Sequence, residues 1–108
     1  MATQNPPLPR LFGALSDPTR LAVIERLTTG PTSVSDLSAP FDMARPTFLK
    51  HLSVLEDAGL VASTKTGRVR TVRLQPQALD WVADWVAQHR RTAEARLDRL
   101  GDFLKKET

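Results

Sequence analysis

The 108-residue sequence has no cysteine and only two histidines, His51 and His89. Without thiols there is no disulfide, no zinc–thiolate site and no cysteine nucleophile, and two isolated histidines do not make a histidine-rich metal site. No stretch reaches the roughly 18 apolar residues of a membrane-spanning helix. The opening MATQNPPLPR lacks the apolar core of a signal peptide. A cytoplasmic protein with no membrane partner is the expectation. A glycine-rich phosphate loop, a nucleophile elbow and a His/Glu metal pair are missing as well, so neither an enzyme nor a cofactor is predicted. Internal repeats and low-complexity segments are absent.

What is present is ordinary in amount and uneven in placement. Hydrophobic residues make up 41% and charged residues 25% of the chain, which suits one small globular domain. The formal charge is +3. Between Ala44 and Gln75, however, six cations (Arg45, Lys50, Lys65, Arg68, Arg70, Arg73) face two anions (Glu56, Asp57), so this third of the chain carries +4 and the rest −1. Clustering of that kind is the electrostatic footprint of a nucleic-acid binder.

Punctuation divides the chain into elements. Residues 1–7 read as a disordered tail, and residues 8–104 as one domain. Leu8, Leu11, Phe12 and Leu15 recur at helical spacing. Asp17-Pro18 caps and starts a second helix that runs to about Thr28, burying Leu21, Ile24 and Leu27 or their neighbours, and Gly30-Pro31 stops it. Ser33 caps a short third helix over Val34 to about Ser38, with Val34 and Leu37 inward. After the Ala39–Asp42 turn, a fourth helix spans about Ala44 to Ala58, tolerating Pro46 in its first turn. Its apolar stripe is Phe48 or Leu49, Leu52 and Leu55. The period then changes: Leu60–Lys65 and Val69–Leu74 favour β structure around Thr66-Gly67-Arg68, a hairpin with a basic tip that leans on the helices through Val72 and Leu74. From Pro76 a last helix of roughly 28 residues repeats Leu79, Val82, Val86, His89, Ala93, Leu97, Leu100 and Leu104 at steps of three and four. So small a domain cannot cover that seam, which predicts a homodimer; Leu8, Leu11 and Phe12 of the first helix are expected to join it.

The order is four helices, a two-stranded hairpin and a long C-terminal dimerisation helix: a mostly α (α+β) winged helix-turn-helix. A single helix fits the major groove of B-DNA, and residues near its N-terminus reach base edges. Here those are Arg45, Thr47, Phe48, Lys50 and His51. Arg45 suits guanine, Thr47 or Phe48 a thymine methyl. Ser33 and Ser35 at the third helix, with Lys50, are expected to hold phosphates, and Lys65, Arg68 and Arg70 to reach backbone or minor groove from the wing. Each residue also has a plainer reading. His51 can pack within its helix, His89 belongs to the seam, and Trp81 and Trp85 read as packing residues rather than a ligand cage. Winged helices also serve as protein-interaction modules without DNA binding; that alternative calls for an apolar or acidic recognition face.

The segments LSDPTRLAVIERL, SVSDLSAPFDMARPTFLKHLSVLEDAGLV and TGRVRTVRL resemble the ArsR/SmtB family of winged-helix regulators over about Leu11–Leu104. The strongest points are Asp17-Pro18-Thr19-Arg20, Lys50-His51-Leu52 with Leu55, and Ala58-Gly59-Leu60-Val61. The resemblance implies a symmetric dimer, joined by first and last helices, that represses transcription at a double-stranded, imperfectly palindromic operator until an effector releases it. It also implies a structural role for Arg20, expected as a salt bridge to a nearby carboxylate. Arsenic- and cadmium-type members carry cysteines where Ser33 and Ser35 stand, and hydroxyls are poor ligands for soft metals. The zinc site of other members needs an Asp-x-His pair, whereas Asp84 is followed by Trp85-Val86. The chain is similar to a branch without metal ligands, and the inducing signal, a small-molecule effector among the options, stays open.

Overall fold

Side chains start the second and third helices, and a glycine ends the fourth, by taking over backbone groups that the helices leave unpaired. The computed structural model describes residues 8–106; the tail expected over residues 1–7 lies outside the described residues. Within them the order is α1 (Leu8–Leu15), α2 (Pro18–Leu27), β1 (Thr32–Ser33), α3 (Val34–Ser38), α4 (Arg45–Asp57), β2 (Val61–Thr66), β3 (Val69–Leu74) and α5 (Pro76–Lys106). This is the winged helix-turn-helix arrangement. The Asp17 carboxylate accepts from the backbone N–H of Thr19 and Arg20, with Pro18 filling the first helical position of α2. Ser33 Oγ accepts from Asp36 N–H at the start of α3.

The exit from α4 sets the direction of the wing. Gly59, at φ +81°, donates to Glu56 O, and Leu60 N–H reaches back to Leu55 O at 3.0 Å. These two bonds with buried Leu55 and Leu60 form a Schellman motif, and a left-handed residue is needed at its hinge. The chain therefore turns out of α4 directly into β2. Thr66 pairs with Val69, leaving a two-residue loop that opens with Gly67 at φ +61°, as a type II′ turn requires.

The sheet has one strand more than the hairpin. β1 pairs antiparallel with β3 (Thr32 opposite Val72, Ser33 opposite Thr71), so the order is β1-β3-β2 and the wing is anchored at the base of α3. Packed beneath it is a core built from Leu11, Val23, Ile24, Leu27, Leu37, Phe48, Leu52, Leu55, Leu60 and Val72. α2 turns Val23, Ile24 and Leu27 inward, while Leu21 is left 43% exposed. Val72 is buried as expected and Leu74 packs partly against the core.

α5 stands apart from this body. Ala78 is its one buried residue among those described, and only Leu79, Trp81 and Val82 pack on the core. Beyond them the helix carries Trp85, Val86, Leu97, Leu100, Phe103 and Leu104 into solvent. The molecule is accordingly elongated, 70 × 40 × 21 Å. No helix among the described residues is long and apolar enough to cross a membrane.

Candidate nucleic-acid interface

Alternation along the wing brings cations to one side. Val61, Ser63 and Lys65 of β2 lie opposite Leu74, Val72 and Arg70 of β3, so these six share a face. At its root that face is apolar and buried; toward the tip it becomes cationic and faces α3 and α4. Between the three elements lies an open cleft of about 740 Å³, lined by Ser33, Val34 and Ser35, by Arg45 and Leu49, and by Ser63, Lys65, Arg68, Val69 and Arg70. Four of these ten residues are cationic and none is acidic. Among the described residues, Arg45, Lys50, Lys65 and Arg68 enter no ion pair. Leu49 and Val69 join this lining without a sequence signal: Leu49 fits the core stripe as well as Phe48 does, and Val69 is a plain strand residue.

α4 itself presents Arg45, Thr47 and Lys50 to solvent. Its N-cap, Ala44, offers no side-chain acceptor, so the first-turn N–H groups carry no side-chain cap. Phe48 is a correction. It is fully buried and packs against Phe41 with ring centroids 5.5 Å apart, so it is a core residue and has no face toward a duplex. Ser33 lines the cleft, but its oxygen caps α3, which leaves the hydroxyl hydrogen for donation. Ser35 lies exposed beside it.

His51 sits outside the cleft, half-buried where α4 meets α2. Arg20 Nη1 donates to His51 Nδ1 at 3.1 Å, while Arg20 Nε donates to Ala14 O at 2.7 Å. The carboxylate partner expected for Arg20 is thus replaced by a carbonyl at the end of α1 and an imidazole of α4. Asp17 Oδ2 is 3.7 Å from His51 Nδ1. The Arg20 N–H above all, then His51 and the Thr19 N–H, hold the Asp17 carboxyl below its ordinary 3.8, against a smaller opposing effect of burial.

Arg70 is engaged on its own protein. Its Nη2 donates to Glu56 Oε1 in the last turn of α4, its Nε donates to Ser63 Oγ at 2.9 Å, and the Ser63 hydroxyl faces Glu56 Oε2 at 3.4 Å. Arg73 points from the opposite face of the sheet and donates to Thr64 Oγ1.

The seam residues separate into two groups. Leu11 is a correction: fully buried within its own protomer, it has no surface to offer a second one. Leu8, Leu79 and Val82 are partly covered by the same core. Phe12, Val86, Leu97, Leu100 and Leu104 are exposed by 38–67%, and His89 and Ala93 are exposed too. Trp85 meets the Phe12 ring edge-on at 5.5 Å and His89 at 4.4 Å, joining α1 to α5. Phe103, 58% exposed, extends the apolar surface beyond the heptad-like pattern.

Comparison with known proteins agrees with this geometry. A helix-turn-helix domain model matches residues 15–64. Over 79 residues the chain is 39% identical to the HTH-type transcriptional regulator Rv2034 of Mycobacterium tuberculosis, a match covering 73% of each protein. It is 32% identical over 75 residues to an arsenical resistance operon repressor of Staphylococcus xylosus, 69% of this chain and 72% of that one. The solved structure of the ArsR family transcriptional regulator RHA00566 superposes with a TM-score of 0.79 at 45% identity, across 87% of this chain and 97% of the other. With identity of this extent over a shared winged fold, the chain belongs to the ArsR family of DNA-binding transcriptional regulators and is not an enzyme.

Proposed function

We propose that the protein is a homodimeric repressor that lays α4 of each protomer into successive major grooves of an imperfect palindrome and grips the flanking phosphates with its wings. The observation that carries this is the acid-free cleft between α3, α4 and the wing, with Arg45, Lys65 and Arg68 unpaired around it. In this reading Arg45 reads a base edge, Thr47 contacts a neighbouring base, and Lys50, Ser33 and Ser35 hold phosphates. An interaction module would want an apolar or acidic face where Arg45, Thr47 and Lys50 stand. Dimerisation supplies the cover that α5 lacks: Leu97, Leu100 and Leu104 of one copy pack on those of the other, with Phe12 and Val86 nearer the body.

Release from DNA is proposed to be independent of metal. The relative from Staphylococcus xylosus is an arsenical resistance operon repressor, but this chain has no cysteine, and serine hydroxyls stand at positions 33 and 35. Both parts are tested in one gel-shift series, on a duplex that the wild-type protein selects from a random pool. Arg45→Glu and Lys50→Glu are expected to abolish the shift while sedimenting like the wild type. Normal binding by Arg45→Glu overturns the site. Arsenite or zinc added to the wild-type complex is expected to leave it intact; release by either overturns metal independence.

A further inference from the structure

Arg70 and Glu56 stand where charge arithmetic gives the wrong sign for their role. The cleft faces a polyanion in the reading above, on which this inference rests. There a cation should help binding and an anion should hinder it. Yet Arg70 turns its guanidinium away from that task onto Glu56, and Ser63 closes the set. Arg70 Nε–H reaches Ser63 Oγ, the Ser63 O–H faces Glu56 Oε2, and Arg70 Nη2–H reaches Glu56 Oε1. Three elements meet in this ring: the last turn of α4, β2 and β3. The Arg70 and Glu56 side chains are only 40% and 30% exposed, so the contact is partly shielded from solvent.

We infer that Glu56, Ser63 and Arg70 are positioning residues that fix the wing at a set angle to the recognition helix, and that Arg70 is not itself a phosphate contact. The location of the ring supports this. The Schellman turn at Gly59 joins α4 to β2 through backbone alone, and β1 holds the base of the sheet. Among the described residues, the Glu56 ring is the side-chain hydrogen-bonded link from wing to α4 between that base and the tip at Gly67. Lys65 lies level with Arg70, Arg68 lies beyond it at the tip, and neither enters an ion pair. Their distance from α4 is therefore governed by the ring. A planar guanidinium can serve Ser63 and Glu56 together; an ammonium in its place cannot span both in one plane.

The consequence is a counterintuitive sign. Glu56→Gln removes an anion from behind the cleft lining, next to Ser63 and Arg70, which on charge alone strengthens binding. With the ring in control, it weakens binding, because the wing spends less time in the competent position. If that population falls to about a tenth, affinity falls about tenfold. Arg70→Lys keeps the charge and is expected to lose affinity to the same extent. The double variant is expected to be no worse than either single one, since both break the same ring.

Two measurements on Glu56→Gln, Arg70→Lys and the double variant decide it. In the free proteins, ¹⁵N order parameters of the Lys65–Arg68 amides are expected to drop below wild-type values, a readout that needs no DNA. On the selected duplex, all three variants are expected to bind about tenfold more weakly at fixed salt, with folding midpoints that keep them native under assay conditions. Unchanged wing order parameters overturn the inference. So does Glu56→Gln binding as tightly as wild type or tighter, or Arg70→Lys binding normally. If the wild-type protein shows no DNA affinity at low salt, the functional reading fails, and the order parameters still decide the role of the ring.

Discussion

Arg20 cannot accept a hydrogen bond, so in the neutral imidazole its 3.1 Å contact makes His51 Nδ1 the acceptor and leaves the ring proton on Nε2. At 3.7 Å, the Asp17 carboxylate is too far from Nδ1 for a hydrogen bond and acts on His51 only through its charge. Asp17 serves mainly as the cap of α2, and its lowered pKa is a statement about stability. Because the folded value lies below the unfolded one, the carboxylate's contribution is complete above about pH 4 and is lost as pH falls through the folded value. Asp17→Asn keeps a capping oxygen but no charge. Its urea midpoint is expected to lie below that of the wild type at neutral pH and to fall less on acidification from pH 5 to pH 2. Parallel pH profiles for the two proteins would show that the carboxylate's charge contributes nothing. His51 thus contacts Arg20 of α2 and lies near Asp17, half-buried where α4 meets α2.

At the scale of elements, the pieces that carry their own punctuation were legible and the pieces defined by distant partners were not. Asp17-Pro18, Ser33, Gly59 and Gly67 encode local backbone needs, and the observed ends of α2, α3, α4 and the hairpin fall within a residue or two of them. β1 is only two residues long, too short to show a period, and exists because β3 lies beside it. The Phe48 and Leu49 alternatives could not be resolved by spacing, since either completes a stripe with Leu52 and Leu55; the Phe41 ring beside Phe48 settles the matter. Arg70 looked like its neighbours Lys65 and Arg68 because its partner Glu56 is 14 residues back, across the α4–β2 turn. Leu11 shares the seam's spacing but faces the protomer's own core. For α5, an exposed stripe of Leu97, Leu100, Phe103 and Leu104 on 31 residues of helix is a large apolar surface for water to bear. Leu100→Asp is expected to halve the sedimenting mass at micromolar concentration while the far-UV spectrum of the winged body persists. An unchanged mass would remove α5 from the interface. DNA affinity should fall along with dimer loss, since one half-site contributes only part of the binding energy.

The whole molecule joins a charged body to an apolar rod, and its DNA affinity should depend on salt in a way that counts its free cations. Arg45, Lys50, Lys65 and Arg68 are the cations without an ion pair on α4 and around the wing cleft, whereas Arg70 is paired with Glu56 and Arg73, also without an ion pair, bonds Thr64 on the opposite face of the sheet. In the proposed dimer about eight cations thus meet phosphate or base. If all of them neutralise phosphates, the logarithm of affinity falls with the logarithm of salt at a slope of about −7, near −0.9 per contact. Fewer contacts give a shallower line, so −7 is the steep limit. Lys65→Gln with Arg68→Gln removes two cations from each wing and is expected to flatten the slope by between about 3 and 4. Arg73→Gln, on the outer face of the sheet, is expected to leave it unchanged. The measurement is a fluorescence-anisotropy titration of a labelled duplex at several potassium concentrations. A wild-type slope near zero would mean that the cationic cleft does not face a duplex at all. Equal flattening by Arg73→Gln and by the wing-tip pair would mean that the sheet meets DNA with the wrong side.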